Sequence, residues 1–266
     1  MKLIPQDDIL KKHIDHYWLV KENVLDLSTY QNKIYAYPSI TPDMLIVLKG
    51  HYSFCYQNKH YTDNRSRVFA FIHEALTVDL MQLKSFILIK FKSRALSSLL
   101  PFTKHNAQTI ISNSVGPTDE VFDHSILKLT KHLTNLDASK IVDELDQWFM
   151  KYYKKEREGF ILDISKEITH TLDIQEILNK TNYSYSTLER HFKRDTGLTP
   201  KKYQTLQRCK LVIQEIYNTK NTDWSYYIDK YGYFDQSHFI KDIKRFTSFT
   251  PLQLLHTPGL LNLRPN

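Results

Sequence analysis

The spacing of apolar positions changes character twice along the chain. In IPQDDILKKHIDHYWLV (4–20), Ile9, Leu10, Ile14, Tyr17 and Trp18 recur at helical intervals, which predicts an N-terminal helix. From about Ile34 to Phe91 the pattern shortens. MLIVLKG, HYSFCYQ, RVFAFIH, LTVDLMQL and KSFILIKFK are rich in β-branched and aromatic residues. Turn-like stretches separate them, such as Lys49-Gly50 and Thr62-Asp63-Asn64. Short strands at near-regular spacing predict a sandwich or barrel. From about Ser93 the helical period returns in SRALSSLLPF, FDHSILKLTKHL and KIVDELDQWFMKYYKKE.

The polar, basic run KYYKKEREG marks a boundary near residue 158 and reads as a solvated linker. Beyond it the pattern is helical throughout. Helices are predicted at about 160–171, 173–180, 185–195, 200–218, 223–231, 236–246 and 251–256. Gly197 and Gly232 fall where helices close and turns open.

This second half contains an internal repeat at an offset of 51. SYSTLERHFKRDTGLTP (184–200) lies over DQSHFIKDIKRFTSFTP (235–251). Ser184 matches Asp235, both good N-caps. Leu188 matches Phe239, and Phe192 matches Ile243. Lys193-Arg194 matches Lys244-Arg245, and Thr199-Pro200 matches Thr250-Pro251. Each copy follows a short helix and a tight turn, DIQEILNK into TNYS and DWSYYIDKY into GYFD. A short helix, a turn and a capped helix make a helix-turn-helix unit. In such a unit the second helix enters the DNA major groove, with its N-terminal residues on base edges. Between the copies, PKKYQTLQRCKLVIQEIYN offers a buried stripe of Tyr203, Leu206, Cys209 or Lys210, Val212 or Ile213, and Ile216. It reads as a strut that sets the spacing of the two units.

Composition adjusts this picture little. The chain is 41% hydrophobic with no Pro/Gly-rich tract, so a globular fold is expected. A net charge of +7 permits binding to nucleic acid or an anionic membrane without requiring either. Two cysteines, Cys55 and Cys209, suit a reducing compartment. The N-terminal segment has no secretory pattern and no apolar run reaches membrane-spanning length. The expectation is a cytoplasmic, nucleoid-associated protein with no membrane partner.

GYFDQSHFIKDIKRFTSFTPLQL resembles the signature of AraC/XylS-type bacterial transcription regulators. NYSYSTLERHFKRDTGLTPKKY resembles the first helix-turn-helix of the same family. The match covers about residues 160–256. It departs from the family where a small Ala usually precedes each turn, here Leu178 and Ile228, and where Asn182 replaces the first turn's Gly. Ser248 stands where the first copy keeps Gly197. The resemblance implies base contacts from Ser186, Thr187, Glu189 and Arg190 in the first unit. Gln236, Ser237, His238 and Lys241 take that role in the second. Arg190 can fork onto guanine, grip phosphate or pair with an acid. Glu189 can accept from cytosine or orient Arg190. Gln236 suits adenine, and His238 suits a base or a phosphate. Lys193, Arg194, Lys244 and Arg245 read as phosphate anchors or ion-pair partners.

The strand-rich half has a weaker resemblance to the cupin-like sensing or dimerising domain that precedes the DNA-binding domain in many such regulators. A barrel of this kind can hold a small ligand or be filled by its own side chains. The expected fold is thus α+β in two domains. Residues 1–158 would form a cupin-like β-barrel with flanking helices, and residues 159–266 an all-α domain of two helix-turn-helix units joined by a long helix. Double-stranded DNA is the implied partner. RNA polymerase, a small-molecule effector and a second copy of the chain are candidates for further partners, and no cofactor is implied. The alternative is a cupin-type metal- or sugar-processing enzyme with a helical appendage. His51, His60, His73, Glu74 and His105 are present, but no His-x-His pair occurs, and His13 and His16 form an H-x-x-H without a third ligand. No nucleophile elbow or phosphate loop occurs either, so no catalytic residue is expected.

Overall fold

The computed structural model describes residues 1–21, 33–36, 41–56, 58–69, 75–92, 95–99, 115–154, 174–196 and 198–256, with backbone alone at 33–36, 96–97 and 194–196. Among the described residues, ten strands and a set of helices occupy the first part: β1 (Lys2–Leu3), α1 (Leu10–His13), β2 (Ile14–Val20), β3 (Lys33–Ala36), β4 (Asp43–Gly50) and β5 (Tyr52–Tyr56). They continue with β6 (Lys59–Asp63), β7 (Arg67–Phe69), β8 (Leu76–Asp79), β9 (Leu83–Phe91), α2 (Ala95–Ser98), β10 (Val115–Pro117), α3 (Thr118–Val121), α4 (Ser125–Leu133) and α5 (Ala138–Tyr152).

Among the described residues the strands form two sheets, ordered β1-β2-β9-β4-β7-β10 and β3-β8-β5-β6. The larger sheet is buried on both faces. Trp18, Leu45, Val47, Phe69 and Phe86 pack with Tyr52, Phe54 and Leu76 of the smaller sheet. Their neighbours on the alternate face, Tyr17, Met44, Ile46, Val68, Ile87 and Ile89, join the helical core of Phe122, Ile126, Leu145 and Phe149. Alternation with period two sends successive side chains into different cores.

This double burial corrects the N-terminal expectation. Only Leu10–His13 is helical, and Ile14–Val20 is a strand paired antiparallel with β9. A strand covered on both faces is apolar at nearly every position, so its run of large residues imitates helical spacing. Turn assignments shift as well. Thr62 and Asp63 end β6 and pair with Ser53 and Tyr52, while β4 runs through Lys49 to Gly50. Gly50 has φ +98, and a Cβ there would lie 2.1 Å from the Gln82 carbonyl oxygen. The strand ends there because only glycine fits so close to the facing chain.

The helices of the second part match the expected spans closely: α6 (Ile174–Thr181), α7 (Tyr185–Thr196), α8 (Pro200–Thr219), α9 (Trp224–Tyr231), α10 (Gln236–Thr247) and α11 (Pro251–Leu254). The helix expected at 160–171 and the boundary near 158 lie outside the described residues. Helix α2 lies against α7, so the first part touches the first repeat.

One polar group fastens the N-terminal segment. Asp146 of α5 is buried and accepts hydrogen bonds from the Gln6 and Asp7 backbone N–H groups at 2.7 and 2.9 Å and from the Tyr17 hydroxyl at 2.6 Å. Burial and then the adjacent carboxylate push the Tyr17 phenol well above its ordinary pKa, so it stays a neutral donor. Replacing Asp146 by Ala leaves the buried Tyr17 hydroxyl and two part-buried backbone N–H groups without their acceptor. The expected cost is about 2–4 kcal/mol, read as a lower denaturant midpoint at unchanged slope. Tyr17→Phe should cost less, because it also removes its own unsatisfied group.

Candidate nucleic-acid interface

The two repeats fold into equivalent units. Helix α6 ends at Asn182, whose φ of 54° takes the left-handed conformation that the family resemblance assigns to glycine. Helix α9 ends at Gly232 with φ 66°. Asn tolerates this conformation better than other side-chain-bearing residues, so the first turn survives the substitution. Ser184 Oγ then accepts from the Thr187 backbone N–H at 3.2 Å, and the Asp235 carboxylate accepts from the His238 N–H at 2.7 Å. Both are N-caps at the positions the repeat assigns.

The apolar side of each second helix is core. Leu188 and Phe192 in α7, and Phe239 and Ile243 in α10, are fully buried. Leu178 and Ile228, which replace the usual small residue before each turn, are half-buried against this core. Thr199 and Thr250 cap the helices that follow, each with Pro at the first helical position. Helix α8 buries Tyr203, Leu206, Cys209, Val212, Ile213 and Ile216, the expected stripe with Cys209 rather than Lys210 inside.

The opposite side is polar and open. Ser186 and Arg190 of α7 are exposed, as are Gln236, Ser237 and Lys241 of α10, while Thr187, Glu189 and His238 are half-exposed. Several of these have partners within the protein. Thr187 Oγ1 shares a hydrogen bond with Ser184 Oγ at 3.0 Å, which ties it into the cap. Glu189 forms an ion pair one turn along with Lys193, not with Arg190. His238 Nε2 lies 3.6 Å from Asp242 Oδ2. Lys244 and Arg245 are exposed, and the Arg245 guanidinium lies over the Phe246 ring. The Arg194 side chain lies outside the described residues.

Three groups essential to this geometry escaped the sequence reading. Arg208 of α8 donates to Asp242 of α10 at 3.1 Å and to the Gly232 carbonyl at 3.4 Å, and it covers the Tyr233 ring at 4.3 Å. Glu215 of α8 accepts from Lys230 at 2.6 Å, from the Tyr226 hydroxyl at 2.7 Å and from the Tyr231 hydroxyl, all on α9. Tyr185, 43% exposed, occupies in α7 the place that Gln236 occupies in α10. The 51-residue register would have found Tyr185. The partnerships of Arg208 and Glu215 depend on tertiary packing and leave no local signal.

Residues 177–257 match a family model described as a helix-turn-helix domain. The C-terminal part of the chain is an AraC-type helix-turn-helix domain. Curated protein sequences include no match to the chain. Among solved structures, ToxT from Vibrio cholerae is similar over 91% of this chain and 97% of its own, at 10% identity and a TM-score of 0.47. ToxT from the same organism with an unsaturated fatty acid bound is similar at 12% identity, over 91% and 94%, with a TM-score of 0.45. The AraC-like transcriptional activator CuxR is similar at 11% identity, over 74% and 72%, with a TM-score of 0.27.

Among the described residues, no three His, Cys, Asp or Glu side chains group as metal ligands. His73, Glu74 and His105 lie outside those residues. No described helix is long and apolar enough to cross a membrane.

The Glu215 cluster sets a pH dependence. Burial raises its pKa, but hydrogen bonds from Lys230, Tyr231 and Tyr226 outweigh burial and hold it at about 2 instead of 4.5. A depressed carboxylate pKa contributes stability that is complete above about 4.5 and disappears as pH falls toward 2. Helical circular dichroism during acid titration should therefore show a loss across that interval, and Glu215→Gln should lack that component. The variant should also unfold more readily at pH 7.

Proposed function

We propose that the chain is a sequence-specific DNA-binding transcription regulator whose two recognition helices, α7 and α10, enter successive major grooves on one face of DNA. One observation carries this reading: two capped helices in one repeat register expose polar residues at their N-terminal ends and are held by a single long helix. Helix α8 has 20 residues. At 1.5 Å per residue it spans about 30 Å, close to the ~34 Å that separates successive major grooves.

In this reading Arg190, Gln236, Ser237, His238 and Lys241 face base edges, with Ser186 beside them. Thr187 and Glu189 lie on the same face, their side chains shared with the Ser184 cap and Lys193. Tyr185 joins the face as the counterpart of Gln236. Lys193, Arg194, Lys244 and Arg245 meet phosphates, which supply affinity without sequence preference. Residues 159–266 form the DNA-binding domain, and residues 1–158 receive a small-molecule or protein signal, mediate pairing of two chains, or both. The contact of α2 with α7 gives such a signal a short physical route to the first reading helix. RNA polymerase is the natural further partner of a protein with this role in a bacterial cytoplasm.

Gel shift with purified full-length protein on its own upstream DNA, against random DNA, tests the reading. Sequence-specific binding should exceed random-DNA affinity by about a thousandfold or more, and equal affinity for both would sink it. Arg190→Ala should cost about 1–3 kcal/mol if the guanidinium forks onto guanine, with relaxed preference at that position. Lys244→Ala should weaken all sequences alike and lower the slope of log K against log salt by about 1.

A further inference from the structure

The two turns differ in length. Between α6 and α7 the chain runs Asn182-Tyr183-Ser184, and between α9 and α10 it runs Gly232-Tyr233-Phe234-Asp235, one residue longer. The longer turn carries Phe234 just before the N-cap, where the 51-residue register has Tyr183; Phe234 is 90% exposed and Tyr183 38%. Its neighbours force that exposure. Tyr233 is buried, with its ring 5.2 Å from Phe239 and beneath Arg208, so the aromatic site under the turn is already filled. Asp235 is committed to capping α10 in an extended conformation, φ −155°. Phe234 is held between two fixed residues, and only the capping Asp235 separates it from the exposed Gln236 and Ser237 of the proposed reading face.

A lone exposed apolar side chain is ordinary on a protein surface. Here, however, the large ring is placed by a pinned turn at the leading edge of a helix whose face is otherwise polar. The major groove offers one apolar feature to such a ring, the C5-methyl group of thymine. Resting on the DNA reading above, we infer that Phe234 is a specificity-determining residue that packs against a thymine methyl in the half-site of the second unit. It would add an apolar contact to the hydrogen-bonding readout of Gln236 and Lys241.

The test uses full-length protein and a duplex that it selects from a random-sequence library. Each thymine of the selected site is replaced singly by deoxyuridine, which deletes only the methyl group. One position in the second half-site should weaken wild-type binding about fourfold, the effect of one buried methyl. Phe234→Ala should bind the thymine duplex at least as weakly and should be indifferent to deoxyuridine at that position. Because the side chain is exposed, the variant should keep wild-type thermal stability. Full affinity in Phe234→Ala, or an undiminished deoxyuridine effect in that variant, overturns the inference and leaves the DNA reading standing. Failure of the protein to enrich any sequence overturns both.

Discussion

The buried stripe of α8 is the constraint on which the C-terminal part depends. The Tyr203 ring lies 5.6 Å from Phe192 of the first unit, and the stripe from Tyr203 to Tyr217 shares one core with Leu188 and Phe192 of the first unit and Phe239 and Ile243 of the second. Each such side chain contributes roughly 1.5–3 kcal/mol by leaving water. Neither two-helix unit could bury its apolar face alone. A shared central helix resolves this by giving both units one core, and it fixes their separation as a by-product. Stability and the separation of the two units therefore rest on the same residues, and a change in the stripe would disturb both.

Polar contacts then decide orientation. Hydrophobic burial is non-directional and leaves α9 and α10 free to slide on α8. Glu215 removes that freedom for α9 by gathering Lys230, Tyr226 and Tyr231 on one carboxylate. Arg208 does the same for α10 through Asp242 and for the turn through Gly232. Asp242 also lies near His238, so the residue that braces α10 borders its exposed polar face. The orientation of His238 is thereby coupled to the helix that carries both units.

The repeat made most of the C-terminal part legible in sequence. Caps at Ser184, Asp235, Thr199 and Thr250 are local chemistry, and their spacing to Leu188, Phe192, Phe239 and Ile243 is local periodicity. The N-terminal part was less legible because its main sheet is covered twice. In β2, Tyr17 belongs to the helical core and Trp18 to the space between the sheets, so the expected polar alternation is missing. Helix and strand readings of such a run differ only through partners distant in sequence, here β9. Within the site, the exposed face could be read from the helix period. The pairing of Glu189 with Lys193 follows the same period, four residues apart on one helix, whereas the bracing by Arg208 and Glu215 could not be read, because each chooses among several partners by tertiary position.

Among the described residues the two units are alike in fold and differ in the groups that brace them. In the second, a Gly turn, an aspartate cap, Arg208 and Glu215 converge on α9 and α10. In the first, an Asn turn and a serine cap support α7, and Tyr183 stacks on His191 at a centroid distance of 5.6 Å. The first unit is touched by α2 from the N-terminal part. A signal acts where an element has more than one accessible arrangement, and a heavily braced helix has fewer. On the DNA reading proposed above, Arg208 and Glu215 hold α10 and α9 to α8, while the contact with α2 makes α7 a reading helix adjacent to the first part.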